Sequence, residues 1–442
     1  MLATLNASTK PSTPASFRYD SLGEVAQFAV ARESVAIPPT TGGSVGQNNV
    51  YLRFLIAETS TLAFCDLSSI RLVFDVVSEA ADGQDMTFLA GPESFWERAR
   101  LTTRGVTQED IIHYGRHHNL QNLLDGEIKR KNDSIESSYT SLNQDTNTAT
   151  SVRLAKGRSM RCIMPIRFGY FQQSMYHFMP FGNIGVEMQC AQQMEAIQST
   201  GTAYANGWEI QNAVVLCDIL RVTPEFANDF SQGLALGSLY NISSVGYSTI
   251  ELQMTAADNS FSATISQALT RIRGAFITFL GQPTAGAREG QAVLLPERRC
   301  KKSNMFFNPA DGDQEADNTP GQQLEMYVTL GAKTYPIGYF QQGSRQMFYH
   351  LRRGLGRLRD SDLNIPSYQA YLRTHFVSYV SFEKARSGDG AYTTAFSGES
   401  TMTGDVLRVV VKNMRKQPTF CYVTLVYDYI AQYSGAGANM LR

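Results

Sequence analysis

Charge is scarce in this chain. Asp, Glu, Lys and Arg make up 18% of its residues, against roughly 25% in an ordinary soluble domain, and the formal net charge is −1. Nucleic-acid binding through a general basic excess is therefore excluded, and any such contact has to be local. A low charge content instead fits a chain that hides much of its surface against other subunits. The six cysteines (Cys65, Cys162, Cys190, Cys217, Cys300 and Cys421) lie far apart with no C-x-x-C pair. That argues against a disulfide framework or a cysteine zinc site and for reduced, buried thiols. No run of apolar residues is long enough for a membrane-spanning helix. Met1-Leu2-Ala3-Thr4-Leu5-Asn6 has neither the basic nor the apolar region of a secretion signal, so the expected setting is a cell, or a particle assembled inside one. Two catalytic signatures are missing too: there is no G-x-x-x-x-G-K-[ST] and no H-E-x-x-H. Gly354-Leu355-Gly356 lacks a third glycine and does not follow a strand.

What the chain has in plenty is aromatic residues, 21 Tyr and 24 Phe, which strands favour. The stretch from Cys65 to Leu124 shows how they are used. Ile70, Leu72, Phe74 and Val76 fall on one side, and Arg71 and Asp75 on the other, the period of two of a half-buried strand. A polar turn, Ala81-Asp82-Gly83-Gln84-Asp85, precedes a second apolar run, Met86 to Leu89, and then Gly91-Pro92-Glu93-Ser94-Phe95-Trp96. From Trp96 an extended segment runs to Thr103, Arg104-Gly105 turn the chain, and an amphipathic helix ends in Asn119-Leu120-Gln121-Asn122-Leu123-Leu124.

At 442 residues the chain is too long for one growing core, and two domains of roughly 200 residues are expected. Residues 1–30 read as an N-terminal arm whose Ser/Thr/Pro-rich part, Ala7 to Ser16, cannot bury enough apolar surface to order itself. Strands follow at Ala31 to Ile37 and Asn49 to Ile56, then the unit above, then a polar excursion from Asp125 to Gly157. Further strands are expected at Arg161 to Phe168, Ile184 to Cys190 and Ile210 to Leu220. Thr223 suits an N-cap, Pro224 a first helical position and Gly233 a stop, which puts a linker helix over 224–235 between domains 31–223 and 236–433.

The second half repeats the plan in other words. Strands are expected at Tyr247 to Met254 and Arg271 to Leu280, then an excursion from Gly281 to Gln322 and a strand from Leu324 to Leu330. A turn at Tyr335-Pro336 precedes a helix from Ser344 to Leu358; strands at His375 to Phe382, Val406 to Val411 and Tyr422 to Ile430 lead to a tail, 434–442. Many short strands with long loops and few helices indicate an all-β chain of two consecutive eight-stranded jelly rolls.

Four clusters could carry chemistry. His113 and His117 at i, i+4 could share a metal, but no carboxylate or cysteine at matching spacing supports it, and a plain helix face is the simpler reading. Asp311-Gly312-Asp313-Gln314-Glu315-Ala316-Asp317 alternates oxygen ligands like a calcium loop, yet has Ala316 in place of the glycine and Gln322 in place of the glutamate. Arg298-Arg299-Cys300-Lys301-Lys302 could serve nuclear import or be an ordinary charged loop. Arg352, Arg353, Arg357 and Arg359 form the densest basic cluster, suited to nucleic acid or an anionic membrane, or to a solvated face. No catalytic residue, metal or cofactor is expected. Carboxylates such as Asp218 and Glu225 leave open a glycan-binding or glycan-hydrolysing β-sandwich, which would be expected to be secreted and rich in Trp, whereas this chain has two.

Phe64-Cys65-Asp66-Leu67-Ser68-Ser69-Ile70-Arg71-Leu72, Leu89-Ala90-Gly91-Pro92-Glu93-Ser94-Phe95-Trp96 and Tyr114-Gly115-Arg116 with Leu120, Leu123 and Leu124 resemble the first roll of double jelly-roll major capsid proteins of eukaryotic DNA viruses. The likeness is to those of Polinton-like viruses, adintoviruses and virophages. In order along the chain, Ile210 to Leu234, Leu269 to Phe279, Tyr327 to Pro336, Phe396-Ser397-Gly398 and Thr403-Gly404-Asp405 with Val406 to Val411 are similar to later parts of that family. The resemblance implies a homotrimer forming a pseudo-hexagonal capsomer of an icosahedral virion, with long loops as outer towers. It also implies partners: neighbouring capsomers, penton and minor capsid proteins, and a packaged genome or internal membrane at the floor.

Overall fold

The computed structural model describes residues 29–441 apart from 43, 47–49, 59, 61, 81, 83–84, 89–90, 126–141, 144–147, 150–152, 174, 193–195, 200–206, 255–258, 282–305, 311–322, 338–339, 356–362, 364, 366, 385–397, 403, 416–417 and 436. Strict alternation drives the strands. In Tyr51–Ile56, Leu52, Phe54 and Ile56 are buried while Tyr51, Arg53 and Leu55 point out, and Glu325–Leu330 buries Met326, Val328 and Leu330 in the same way. Each apolar edge has to find a facing sheet, and the result is a pair of closed sandwiches.

The first sandwich is built from β1 (Ala29–Ile37), β2 (Tyr51–Ile56), β3 (Ala63–Glu79), β4 (Trp96–Thr103), β5 (Val106–Ile112), β6 (Ser159–Pro165), β7 (Ile184–Cys190) and β8 (Gly207–Val222). The second uses β9 (Tyr240–Gln253), β10 (Phe261–Ile265), β11 (Ile272–Gly281), β12 (Glu325–Leu330), β13 (Lys333–Tyr335), β14 (Ser378–Ser381), β15 (Leu407–Lys412) and β16 (Pro418–Ser434). Antiparallel sheets run β1-β8-β3-β6 and β2-β7-β4-β5 in the first, and β9-β16-β11-β14 and β10-β15-β12-β13 in the second. Adding eight to every strand number of the first half gives the order of the second. The chain is a double jelly roll.

Helices sit at matching places. α1 (Tyr114–Leu124) follows β5, and α3 (Gly343–Gly354) follows β13 and a short strand, Gln341–Gln342. α2 (Pro224–Ala235) joins the rolls, and α4 (Tyr368–Arg373) precedes β14. The first core is aromatic: Trp96 and Trp208 are fully buried, Trp96 meets Phe74 edge-on at 5.3 Å and Trp208 meets Phe95 at 5.0 Å. Truncating one of these rings to Ala costs about 3–5 kcal/mol. Neither tryptophan lines a surface cleft.

Several expectations need correction. Residues 106–112, given no strand between the Arg104-Gly105 turn and the helix, form β5; the run Thr107-Gln108-Glu109-Asp110 shows no apolar alternation, although Gln108 and Glu109 are buried. α1 is not amphipathic: ten of its eleven residues are buried, Arg116, His117, His118, Asn119 and Gln121 among them. α2 runs through Gly233 and stops at Gly237, which has φ +81°. Gly237 N donates to Leu234 O and Ser238 N to Gly233 O, the Schellman arrangement that glycine makes cheap. The segment 434–442 is not a free tail: β17 (Gly437–Leu441) turns back and pairs with β16 from Ser434↔Gly437 to Ile430↔Leu441. β1 begins at Ala29, inside the expected arm, and is tied to β8 from Ala29↔Val222 to Ile37↔Val215.

Candidate functional site

The most elaborate polar structure lies where the rolls meet. Polar residues buried on β5, α1 and the segment after β6 face β9 and β16. Glu109 on β5 is fully buried, and its carboxyl oxygens accept hydrogen bonds from Gly169 N at 3.0 Å, Tyr170 N at 2.9 Å and the Tyr429 hydroxyl of the second roll at 2.9 Å. Burial raises the Tyr429 hydroxyl well above the ordinary tyrosine range, so it stays a donor. Gly169 is required by close approach: a Cβ there would lie 1.5 Å from the Val245 carbonyl oxygen of β9. Tyr433 stacks on Phe181 at 4.9 Å, its hydroxyl donates to Thr103 Oγ1 at 3.2 Å, and it lies 3.0 Å from the Tyr170 hydroxyl.

α1 forms the other half of the joint. Arg116 donates to the Phe279 carbonyl at 2.8 Å, and its guanidinium lies over Phe306 at 4.1 Å and Tyr422 at 5.4 Å. A buried cation is held here by one carbonyl and two ring faces of the second roll. His117 rests against Tyr247 at 4.8 Å, and burial pushes its imidazole down to about 3. His177 is likewise pushed by burial to about 4; Tyr170 Oη lies 2.8 Å from its Nδ1, and its Nε2 is 2.8 Å from Gly182 O. His113, the N-cap of α1, reaches Glu97 of the first roll at 2.9 Å and Glu251 of the second at 3.8 Å. His113 and His117 therefore point to two carboxylates and an aromatic wall rather than to one centre. No group of three or more metal-ligating side chains occurs among the described residues.

Outside the joint, equivalent surfaces are open. The outer face of β1-β8-β3-β6 carries Arg32 bonded to Asp218 at 2.6 Å and to Asp66 at 3.1 Å, and Arg161 bonded to Asp75 at 2.9 Å. Asp218 also accepts from Ser34 at 2.6 Å, while Glu225 stands exposed in the first turn of α2. A register shift between Gln211 and Val214, with Asn212 at φ +52°, opens this face into a groove of about 820 Å³. α3 turns Arg345, Tyr349 and Arg353 outward and buries Met347, His350 and Leu351. At the end of the rolls that holds α2, Val30, Leu236 and Leu239 are exposed by 64%, 85% and 61%.

Of the basic cluster, Arg352 and Arg353 occupy the last turn of α3, where cations suit the helix dipole. They stand on the flank of the second roll beside Tyr379, whose ring meets Gly354, and not at the end that holds α2 and the start of β1. Arg357 and Arg359 lie outside the described residues, as do Ala7 to Ser16, 298–302, the acidic stretch 311–317, and most of the two excursions. Five cysteines are described, all buried and free. What sequence reading missed altogether was the joint; the polar run Thr107-Gln108-Glu109-Asp110 between Val106 and Ile111 was the available signal.

No family model matches the chain, and no curated protein matches it in sequence. Solved structures do match in fold. PBCV-1 VP54 fitted into a reconstruction of the virophage Sputnik superposes with a TM-score of 0.61 at 11% identity, over 95% of this chain and 98% of that one. The Sputnik virophage structure gives 0.58 at 10% identity, over 94% and 89%, and the Faustovirus major capsid protein 0.58 at 9% identity, over 98% and 94%. The shared feature is the double jelly-roll fold from end to end.

Proposed function

We propose that this chain is the major capsid protein of an icosahedral virion and works as a homotrimeric, pseudo-hexagonal capsomer. The observation that carries the reading is that one chain contains two rolls of the same strand order, tied by a buried joint, in a fold shared with capsid proteins along nearly its whole length. Three copies would bring together six similar units, and a head-to-tail contact that closes gives a ring rather than a filament. The function needs no catalytic residue. It needs stiffness, which the joint supplies, and surfaces that bind other copies.

Neighbouring capsomers, penton and minor capsid proteins would meet the end that carries Val30, Leu236 and Leu239, three large apolar side chains left exposed there. Arg352 and Arg353, on the flank, are better placed for a neighbouring copy than for a genome or membrane below. The virion is the corresponding location. Native mass spectrometry of the purified chain is expected to show a species of three times 49.0 kDa, and negative-stain images hexagonal outlines. A stable monomer at micromolar concentration would refute the reading.

A further inference from the structure

We propose that helix α3 of one copy seats in the groove on the outer β1-β8-β3-β6 face of a second copy, repeating between chains the way α1 is seated on the second roll within a chain. This rests on the capsomer reading and names its contact. Equivalence of position is the first argument. α1 and α3 occupy the same place in the strand order of their rolls. Within the chain α1 lies against Tyr422, four residues after β16 begins at Pro418 (422 − 418 = 4). The groove opens at Gln211, four residues after β8 begins at Gly207 (211 − 207 = 4). β8 and β16 are corresponding strands, so the groove is the first roll's counterpart of the surface that α1 covers.

Complementarity is the second argument. The exposed stripe of α3 is Arg345, Tyr349 and Arg353, spaced by four residues on one face, and the helix contains no acidic residue. Arg345 and Arg353 stand about 12 Å apart along the axis, with Tyr349, 48% exposed, between them. The groove is lined partly by apolar residues, Val73, Ala213 and Val214 beside Pro38 and Pro39, and partly by polar ones, Arg161 among them. Carboxylates flank it: Glu209 accepts from Ser44, a lining residue, and Asp75 accepts from Asn212 Nδ2 at 2.9 Å while pairing with Arg161. A tyrosine between two arginines meets a trough with an apolar strip for the ring and carboxylates at its flanks, an arrangement suited to an aromatic anchor with charged flanks.

The test uses the full chain. Tyr349→Cys combined with Val214→Cys is expected to give, with oxidised glutathione, a disulfide between chains visible as a ladder on a non-reducing gel. Either substitution alone is expected to give none. Arg345→Glu with Arg353→Glu is expected to raise the apparent dissociation constant of the assembly at least tenfold, with the circular dichroism of the dissociated chain unchanged. Adding Glu209→Arg is expected to restore part of the loss. If the unmodified chain assembles but the cross-link is absent and the charge-reversed variant assembles equally well, the seat of α3 is elsewhere and the capsomer reading stands. If the unmodified chain is monomeric, both fall.

Discussion

Helix α1, YGRHHNLQNLL, and helix α3, GSRQMFYHLRRG, stand at the same point in the strand order of their rolls and live in opposite surroundings. α1 is sealed on all sides, so its Arg116 is held by a carbonyl and two rings. α3 buries one side only and leaves Tyr349 and Arg353 exposed, while Arg345, also exposed, donates to the Tyr368 hydroxyl of α4 at 3.3 Å. The sheets behind them differ in the mirror sense. The face of β9-β16-β11-β14 that receives α1 is lined with Tyr247, Tyr422 and paired threonines, Thr249 and Thr424 at 3.1 Å. The equivalent face of the first roll is laced with exposed ion pairs, each worth little by itself in water. One fold thus carries a finished joint and the two halves of an unfinished one, and the unfinished halves are where another copy has room to bind.

The comparison can be broken first at Glu109. Glu109→Ala strands three buried donors, at about 1–3 kcal/mol each, and a loss of about 4 kcal/mol in urea unfolding is expected. A loss below 1 kcal/mol would show that the rolls are not coupled through this residue. Gly169→Ala comes next, since its Cβ collides with backbone rather than with a movable side chain. Roughly 3 kcal/mol is expected, with faster proteolysis between the rolls as a second readout. Unchanged proteolysis and stability would mean the close approach is not needed.

Acid provides the third test. His117 and His177 are held at about 3 and about 4 when folded and titrate near 6.5 when unfolded. Below about pH 6.5 the unfolded chain takes up protons that the folded chain refuses, so stability falls from there toward pH 3–4 and is untouched above. At pH 5 each histidine accounts for about 2 kcal/mol, and His117→Gln is expected to flatten the slope. Stability that holds level from pH 7 to 5 contradicts this. Smallest is Tyr349→Ala in the dissociated chain, where the residue is exposed on α3 and a change under about 0.5 kcal/mol is expected. A melting shift of many degrees would place Tyr349 in the fold and not on a contact surface.

Much of this architecture was legible. β2, β7 and β12 alternate so strictly that their edges and faces follow from the residues alone, and the Thr223-Pro224 start of α2 was readable as a helix entry. β10 and β13 escaped because five and three residues carry too few positions for a period of two to show, and α4 because its six residues make fewer than two helical turns. The joint escaped for a different reason. Gln108, Glu109, Arg116 and His117 look like surface residues until another roll supplies their partners. The basic cluster was visible as a cluster, but its place on a flank depends on where Tyr379 packs.

By itself the sequence determined that this chain is all-β and twofold in plan, because alternation and turn residues are local properties that no partner alters. Which polar residues are buried, which of two equivalent helices is sealed and where a sheet opens into a groove were decided by the tertiary structure. These depend on contacts between residues more than a hundred positions apart, such as Glu109 with Tyr429, and chain-local patterns carry no record of who the distant neighbour is.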